Sequence, residues 1–77
     1  MTTILLVEDD ERISEPLLRV LGTEGFEAVH ASSGLEGLEQ VVARRPDLML
    51  LDLTLPDIDG LDVCRKVRED RPELPII

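Results

Sequence analysis

The sequence has one cysteine, one phenylalanine and neither tryptophan nor tyrosine. A lone thiol excludes an internal disulfide and points to a reducing compartment. Cys64 falls on a predicted helix, where packing rather than reactivity is its expected role. With so few aromatics, any core must be aliphatic. Basic residues are scarce as well: 8 Lys and Arg stand against 17 Asp and Glu, for a net charge of −9. Such a balance repels nucleic-acid backbones and anionic membrane surfaces, and suits a divalent cation or a basic partner. No long apolar run exists. The N-terminal MTTILLVEDD holds four consecutive apolar residues and no basic start, so it reads as neither signal peptide nor membrane span. The expected location is cytoplasmic. Gly34 and Gly37 are not spaced as a nucleotide-binding loop.

What is there is a small globular composition, 43% apolar and 32% charged over 77 residues. A chain of this size buries only about 60% of its unfolded surface, so one domain is the limit. Its centre is LMLLDLTLPDIDG at 48–60. Leu48 to Leu51 form an apolar run suited to a strand buried on both faces, with Asp52 as its last residue. A turn-rich loop with Pro56, Asp57, Asp59 and Gly60 follows. Ile4 to Val7 repeat the pattern, ending in Glu8-Asp9-Asp10-Glu11, with Asp10 placed to cap a helix. That helix carries the stripe Ile13, Leu17, Val20, Leu21, has Pro16 inside it, and should stop at Gly22 and Gly25. A short strand spans Phe26 to Ala31. Ser32 or Ser33 caps a second helix with Leu35, Leu38, Val41 and Val42, closing at Arg44, Arg45 and Pro46. A third stripe, Leu61, Cys64, Val67, runs to about Asp70.

The order β-α-β-α-β-α implies a doubly wound parallel α/β sheet with right-handed crossovers. Leu74 to Ile77 read as the first half of a fourth strand, leaving the outer edge of the third strand open to another chain. In strand order 2-1-3 the first and third strands are neighbours, so Glu8 and Asp9 converge on Asp52 at the switch point. Three carboxylates there call for a cation, and oxygen ligands favour Mg²⁺, which leaves room for a phosphate group. Asp52 is then the candidate nucleophile of a phosphoryl transfer. Taken singly, each acid is more often a turn, cap or solvated residue; Glu11, Asp57, Asp59 and Asp62 are assigned to those roles.

ILLVEDD at 4–10, DLTLPDIDG at 52–60 and LPII at 74–77 together resemble the receiver domain of a bacterial two-component response regulator. The Glu-Asp pair resembles the branch attached to winged-helix transcription factors. The resemblance covers the whole chain and implies a flavodoxin-like receiver fold, cut off after the third helix and the start of the fourth strand. It implies that residues 1–77 are a partial receiver domain. Asp52 would accept a phosphoryl group from a histidine kinase, and the protein would assist its own phosphorylation rather than act as an enzyme. Asp9 would ligate Mg²⁺ directly, Glu8 through a water, and Thr54 through its backbone carbonyl; the Thr54 side chain would face the incoming phosphoryl group. Pro56 and Gly60 would shape the loop. The family's later Ser/Thr, Lys and switch aromatic fall beyond Ile77, so acceptance by these residues alone is expected to be slow. DNA would be bound only through an output domain outside this chain.

Two other readings compete. A receiver fragment without switching activity could self-associate through its open edge, as a homodimer or a strand-exchanged oligomer. An aspartate-nucleophile phosphatase would want a second Asp two residues after Asp52, where Thr54 stands. His30 is expected to be a packed or edge histidine away from the strand tips. Arg65, Lys66 and Arg68 read as a solvated helix face.

Overall fold

Four apolar residues in a row suit a strand covered on both faces, and Ile4, Leu5, Leu6 and Val7 are each at most 3% exposed. In the computed structural model, which describes residues 1–77, they lie in β1 (Thr3–Val7). There follow α1 (Glu11–Thr23), β2 (Glu27–Ala31), α2 (Gly34–Arg44), β3 (Leu48–Leu51) and α3 (Gly60–Asp70). The strands form one parallel sheet in the order β2-β1-β3, as the alternating pattern predicts. Alternation along the strands sends Leu5, Val7, Val29, Ala31 and Met49 to one face, where they meet Val41 of α2, Val63 and Val67 of α3, and Leu74. That is the core. No helix is long and apolar enough to cross a membrane.

The opposite face is thinner than the sequence suggests. α1 packs chiefly on β2. Its apolar stripe is therefore largely exposed: Ile13 at 46%, Leu17 at 38% and Val20 at 57%, while Ser14 is the residue turned fully inward. Leu48 and Leu50 of β3 are only half-buried, not covered on both sides as expected. Between α1 and the chain end an open groove of about 250 Å³ is lined by Leu6, Leu17, Leu50 and Ile77, among others.

Three local features differ from expectation for physical reasons. Gly22 does not end α1 but lies in its last turn. The stop is Gly25 at φ +90°, which lets the Phe26 N–H reach the Leu21 carbonyl at 3.0 Å and the Gly25 N–H reach that of Gly22 at 3.1 Å. This reciprocal pair satisfies the helix's last carbonyls. The outer edge of β3 is not open. Met49 N–H donates to the Pro75 carbonyl, Ile77 N–H to that of Met49 and Leu51 N–H to that of Ile77, each at 2.9 Å. The fourth-strand start thus pairs within its own chain, parallel to β3. Arg68 is more than a solvated charge, since its Nη1 donates to the carbonyls of Arg71, Pro72 and Leu74. It draws the turn after α3 shut and holds Leu74 in the core at 1% exposure.

The two glycines at the end of α1 should respond in opposite directions. A Cβ at Gly22 meets nothing within 4 Å, and Gly25 has a φ of +90° that side chains rarely adopt. Gly22→Ala is expected to stabilise by roughly 0.5 kcal/mol, through reduced unfolded-state freedom and better helix propensity. Gly25→Ala is expected to destabilise by about 1 kcal/mol. Urea midpoints of the two variants check this, and shifts of the same sign would refute the account of the helix end.

Candidate functional site

Parallel pairing matches Val7 with Leu51, so the residues just beyond each strand end emerge at the same edge of the sheet. One further ladder bond fixes the third tip: Asp52 N–H donates to the Val7 carbonyl at 3.0 Å. Asp52 accordingly sits one residue past β3 rather than as its last residue. On the other side, Glu8 N–H donates to the Ala31 carbonyl at 3.0 Å. As a result Glu8, Asp9 and Asp52 each bring one carboxylate oxygen to within 4.8 Å of the others. These are the three acids that the two strand tips were expected to bring together.

Their environments differ. Glu8 is 7% exposed, whereas Asp9 is open to solvent and Asp52 half-buried. Burial raises the Glu8 pKa above its ordinary value of 4.5; hydrogen bonding and repulsion from Asp52 and repulsion from Asp9 add to the rise, and the Asp10 N–H opposes it. Asp52 is oriented by its own loop, its Oδ1 accepting the Thr54 N–H at 3.0 Å. Asp10 stays out of the cluster because it caps α1, taking the Arg12 N–H at 2.9 Å and pairing with the Arg12 guanidinium at 2.8 Å. The Arg12 side chain in particular lowers the Asp10 pKa.

A cation fits this geometry. Three oxygen donors, crowded enough that one resists ionisation, on a rim that reaches solvent, match a hard divalent ion that retains part of its water shell. Glu8, Asp9 and Asp52 could hold Mg²⁺.

The loop carrying Thr54 is clamped from two sides. A Cβ on Gly60 would stand 2.5 Å from the Leu53 Cα and 2.9 Å from the Asp52 carbonyl oxygen, so only glycine lets α3 begin this close to the site. Asp57, assigned from sequence to caps and loop solvation, does cap a helix, but not the one next to it. Its two oxygens accept the Gly34 and Leu35 N–H groups of α2 at 2.8 and 2.9 Å. Those donors, and Ile58 packing where Gly34 leaves no room for a side chain, lie more than twenty residues apart in sequence from their partners. Nothing local in the chain signals the pairing. Ser33 adds the ordinary cap, accepting the Glu36 N–H at 3.1 Å. His30, expected away from the tips, is instead beside one, with its Nε2 2.8 Å from the Glu8 carbonyl oxygen.

Comparison with known proteins agrees with this architecture. Residues 4–77 match the response regulator receiver domain family. The response regulator MprA of Mycobacterium leprae is 43% identical over 74 residues, which is 96% of this chain and 32% of the relative. MprA of Mycobacterium tuberculosis H37Ra is 40% identical over the same length. The chain thus spans about a third of the length of the curated relatives it matches. Among solved structures, the response regulator TrrA of Thermotoga maritima in complex with Mg²⁺-BeF is 36% identical at a TM-score of 0.92, covering 99% of this chain and 66% of that one. A CheY-like receiver domain protein from Methanospirillum hungatei is 32% identical at a TM-score of 0.95, covering 99% of this chain and 61% of the other.

Asp57 generates a pH test. The Leu35 and Gly34 N–H groups lower its pKa below the ordinary 3.8. A carboxylate depressed in the folded state contributes stability that is present above its unfolded pKa and lost as pH falls through the folded one. Asp57→Ala should therefore be less stable than the parent at pH 7, and the gap should shrink as the pH drops below about 3.8. Thermal unfolding of both proteins from pH 7 to 2.5 checks it; a gap that stays constant over that range would show that the carboxylate's charge contributes nothing.

Proposed function

The chain belongs to the response regulator receiver domain family, and on that premise we propose that Asp52 is its phospho-accepting carboxylate. The observation that carries the reading is the convergence of Glu8, Asp9 and Asp52 within 4.8 Å of one another. The chain is a receiver of two-component phosphorelay signalling, and receivers of this kind work with histidine kinases. In the proposed step an Asp52 oxygen forms a bond to phosphorus while the bond from phosphorus to the kinase's histidine nitrogen breaks, leaving an acyl phosphate here and a free imidazole there. Asp9 and Asp52 would ligate Mg²⁺ directly, the Thr54 carbonyl would add a ligand, and Glu8 would act through a water. When bound, the ion neutralises charge on the transferred group, which is most of what phosphoryl transfer requires.

The chain's own residues do the positioning. Thr54 N–H and the Val7 carbonyl orient Asp52 from its two sides. The Mg²⁺-BeF complex of TrrA, a relative with the same fold, supports Mg²⁺ as the cation. On this reading the protein is a phosphoacceptor that assists its own modification, not a turnover enzyme. Residues 1–77 form one unit up to the start of a fourth strand. Transcriptional output would come from a segment outside them, since a net charge of −9 is unsuited to DNA. The cytoplasm, where the lone Cys64 stays reduced, is the proposed compartment.

Intact mass after incubation with acetyl phosphate and Mg²⁺ tests the assignment. One phosphoryl group should add to the parent and none to Asp52→Asn, with Asp9→Asn slowed by roughly a hundredfold. Incorporation that persists in Asp52→Asn would move the acceptor elsewhere, and a folded parent that takes up nothing would withdraw the proposal.

A further inference from the structure

We propose that His30 is a positioning residue for the acid cluster, its ring gripping the Glu8–Asp9 peptide and so aiming Asp9 at the cation. This rests on the metal reading above. His30 pairs with Leu6 in the β1–β2 register, one step before that ladder closes with the Glu8 N–H on the Ala31 carbonyl. From there its ring reaches forward to the Glu8 carbonyl, with Nε2 2.8 Å away. A carbonyl oxygen only accepts, so Nε2 carries the hydrogen. His30 is not among the side chains whose ligand atoms converge on the cluster, which are those of Glu8, Asp9 and Asp52.

The consequence lies in the geometry of the peptide. The Glu8 carbonyl and the Asp9 N–H belong to one rigid plane, so fixing the first fixes the direction in which the Asp9 Cα leaves it. Asp9 is exposed, so the direction in which its backbone leaves the strand weighs heavily in where its carboxylate lies. The same turn is held from its other end, where the Asp10 N–H donates to Glu8 Oε2 at 3.2 Å. Glu8 and Asp9 are thereby tied to both β2 and α1. Partners that orient ligands without touching the ion usually change metal affinity when removed. A ring that merely satisfied a carbonyl would change stability alone.

Mg²⁺ titration of the 77-residue protein, followed through the amide resonances of Asp9 and Asp52, separates these roles. His30→Leu, which removes the donor, should weaken Mg²⁺ binding about tenfold. His30→Gln, which returns an N–H at similar reach, should restore it to within about twofold of the parent. Equal affinities in the parent and a folded His30→Leu would overturn the inference while leaving the metal reading intact, and so would a His30→Gln as weak as His30→Leu. A parent with no Mg²⁺ response at Asp9 and Asp52 would overturn both. Side-chain ¹⁵N spectra of the parent give a check that needs no variant: the hydrogen should sit on Nε2, and a ring protonated only on Nδ1 refutes the contact.

Discussion

The parallel pairing of β1 with β3 is the constraint on which the rest depends. Parallel neighbours end at the same edge of a sheet, and a register matching Val7 to Leu51 leaves no room for their following residues to diverge. The ladder bond from Asp52 to the Val7 carbonyl makes the third carboxylate part of the backbone arrangement rather than a matter of side-chain preference. Antiparallel strands with the same sequences would send these acids to opposite ends. Repulsion among Glu8, Asp9 and Asp52 is thus imposed by hydrophobic burial behind them. Leu5, Val7 and Met49, each no more than 1% exposed, hold the strands in place against it.

Around that cluster the acidic excess divides by role. Asp10, Asp57 and Asp59 spend their oxygens on the N-terminal N–H groups of α1, α2 and α3, where peptide dipoles favour negative charge. Glu27 and Asp62 pair with Arg44 and Arg65 at the surface, contacts that contribute little individually, while Glu73 pairs with the largely buried Arg71. Glu8, Asp9 and Asp52 have no basic side chain among these pairs. Their unbalanced charge sits in one place, at a rim formed by backbone that other elements clamp. The clamps come from separate parts of the chain: Asp57 onto α2, Gly60 against Leu53, and His30 onto the Glu8 carbonyl. The site is open to solvent, yet the loops beneath it are tied to the sheet and helices.

The legible features were those coded locally. The runs Ile4–Val7 and Leu48–Leu51 show as strands because four apolar residues in succession fit few other places, and Asp10, Ser33 and Asp59 show as caps because capping acts within three residues. The acid convergence was legible too, since it needs only the strand order. Apart from the stop of α1, which is set locally at Gly25, the misread features depend on distant partners. The stripe of α1 has helical spacing, but which way it faces depends on where the helix settles over β2. Asp57 reads as a loop acid, and only folding brings α2 to it. His30 looks like an edge residue unless β2 is known to end beside the β1 tip. Arg68 resembles any surface base until the turn after α3 folds back on it.

The crowding of the three acids also couples function to stability. Burial and repulsion raise the Glu8 pKa, so with the site's charges bare the native state bears a strain that the unfolded chain, with its carboxylates apart, does not. A cation that binds only the folded arrangement relieves it, and mass action then adds stability that grows as the logarithm of the ratio of ion concentration to its dissociation constant. That increment does not depend on domain size, but it is a larger share of a margin that is narrow in a small domain whose α1 face is thinly packed. What disfavours the bare site is therefore what makes it selective for divalent charge. A lysine at position 8 or 52 would remove the repulsion and the affinity together, because both arise from the same three oxygens.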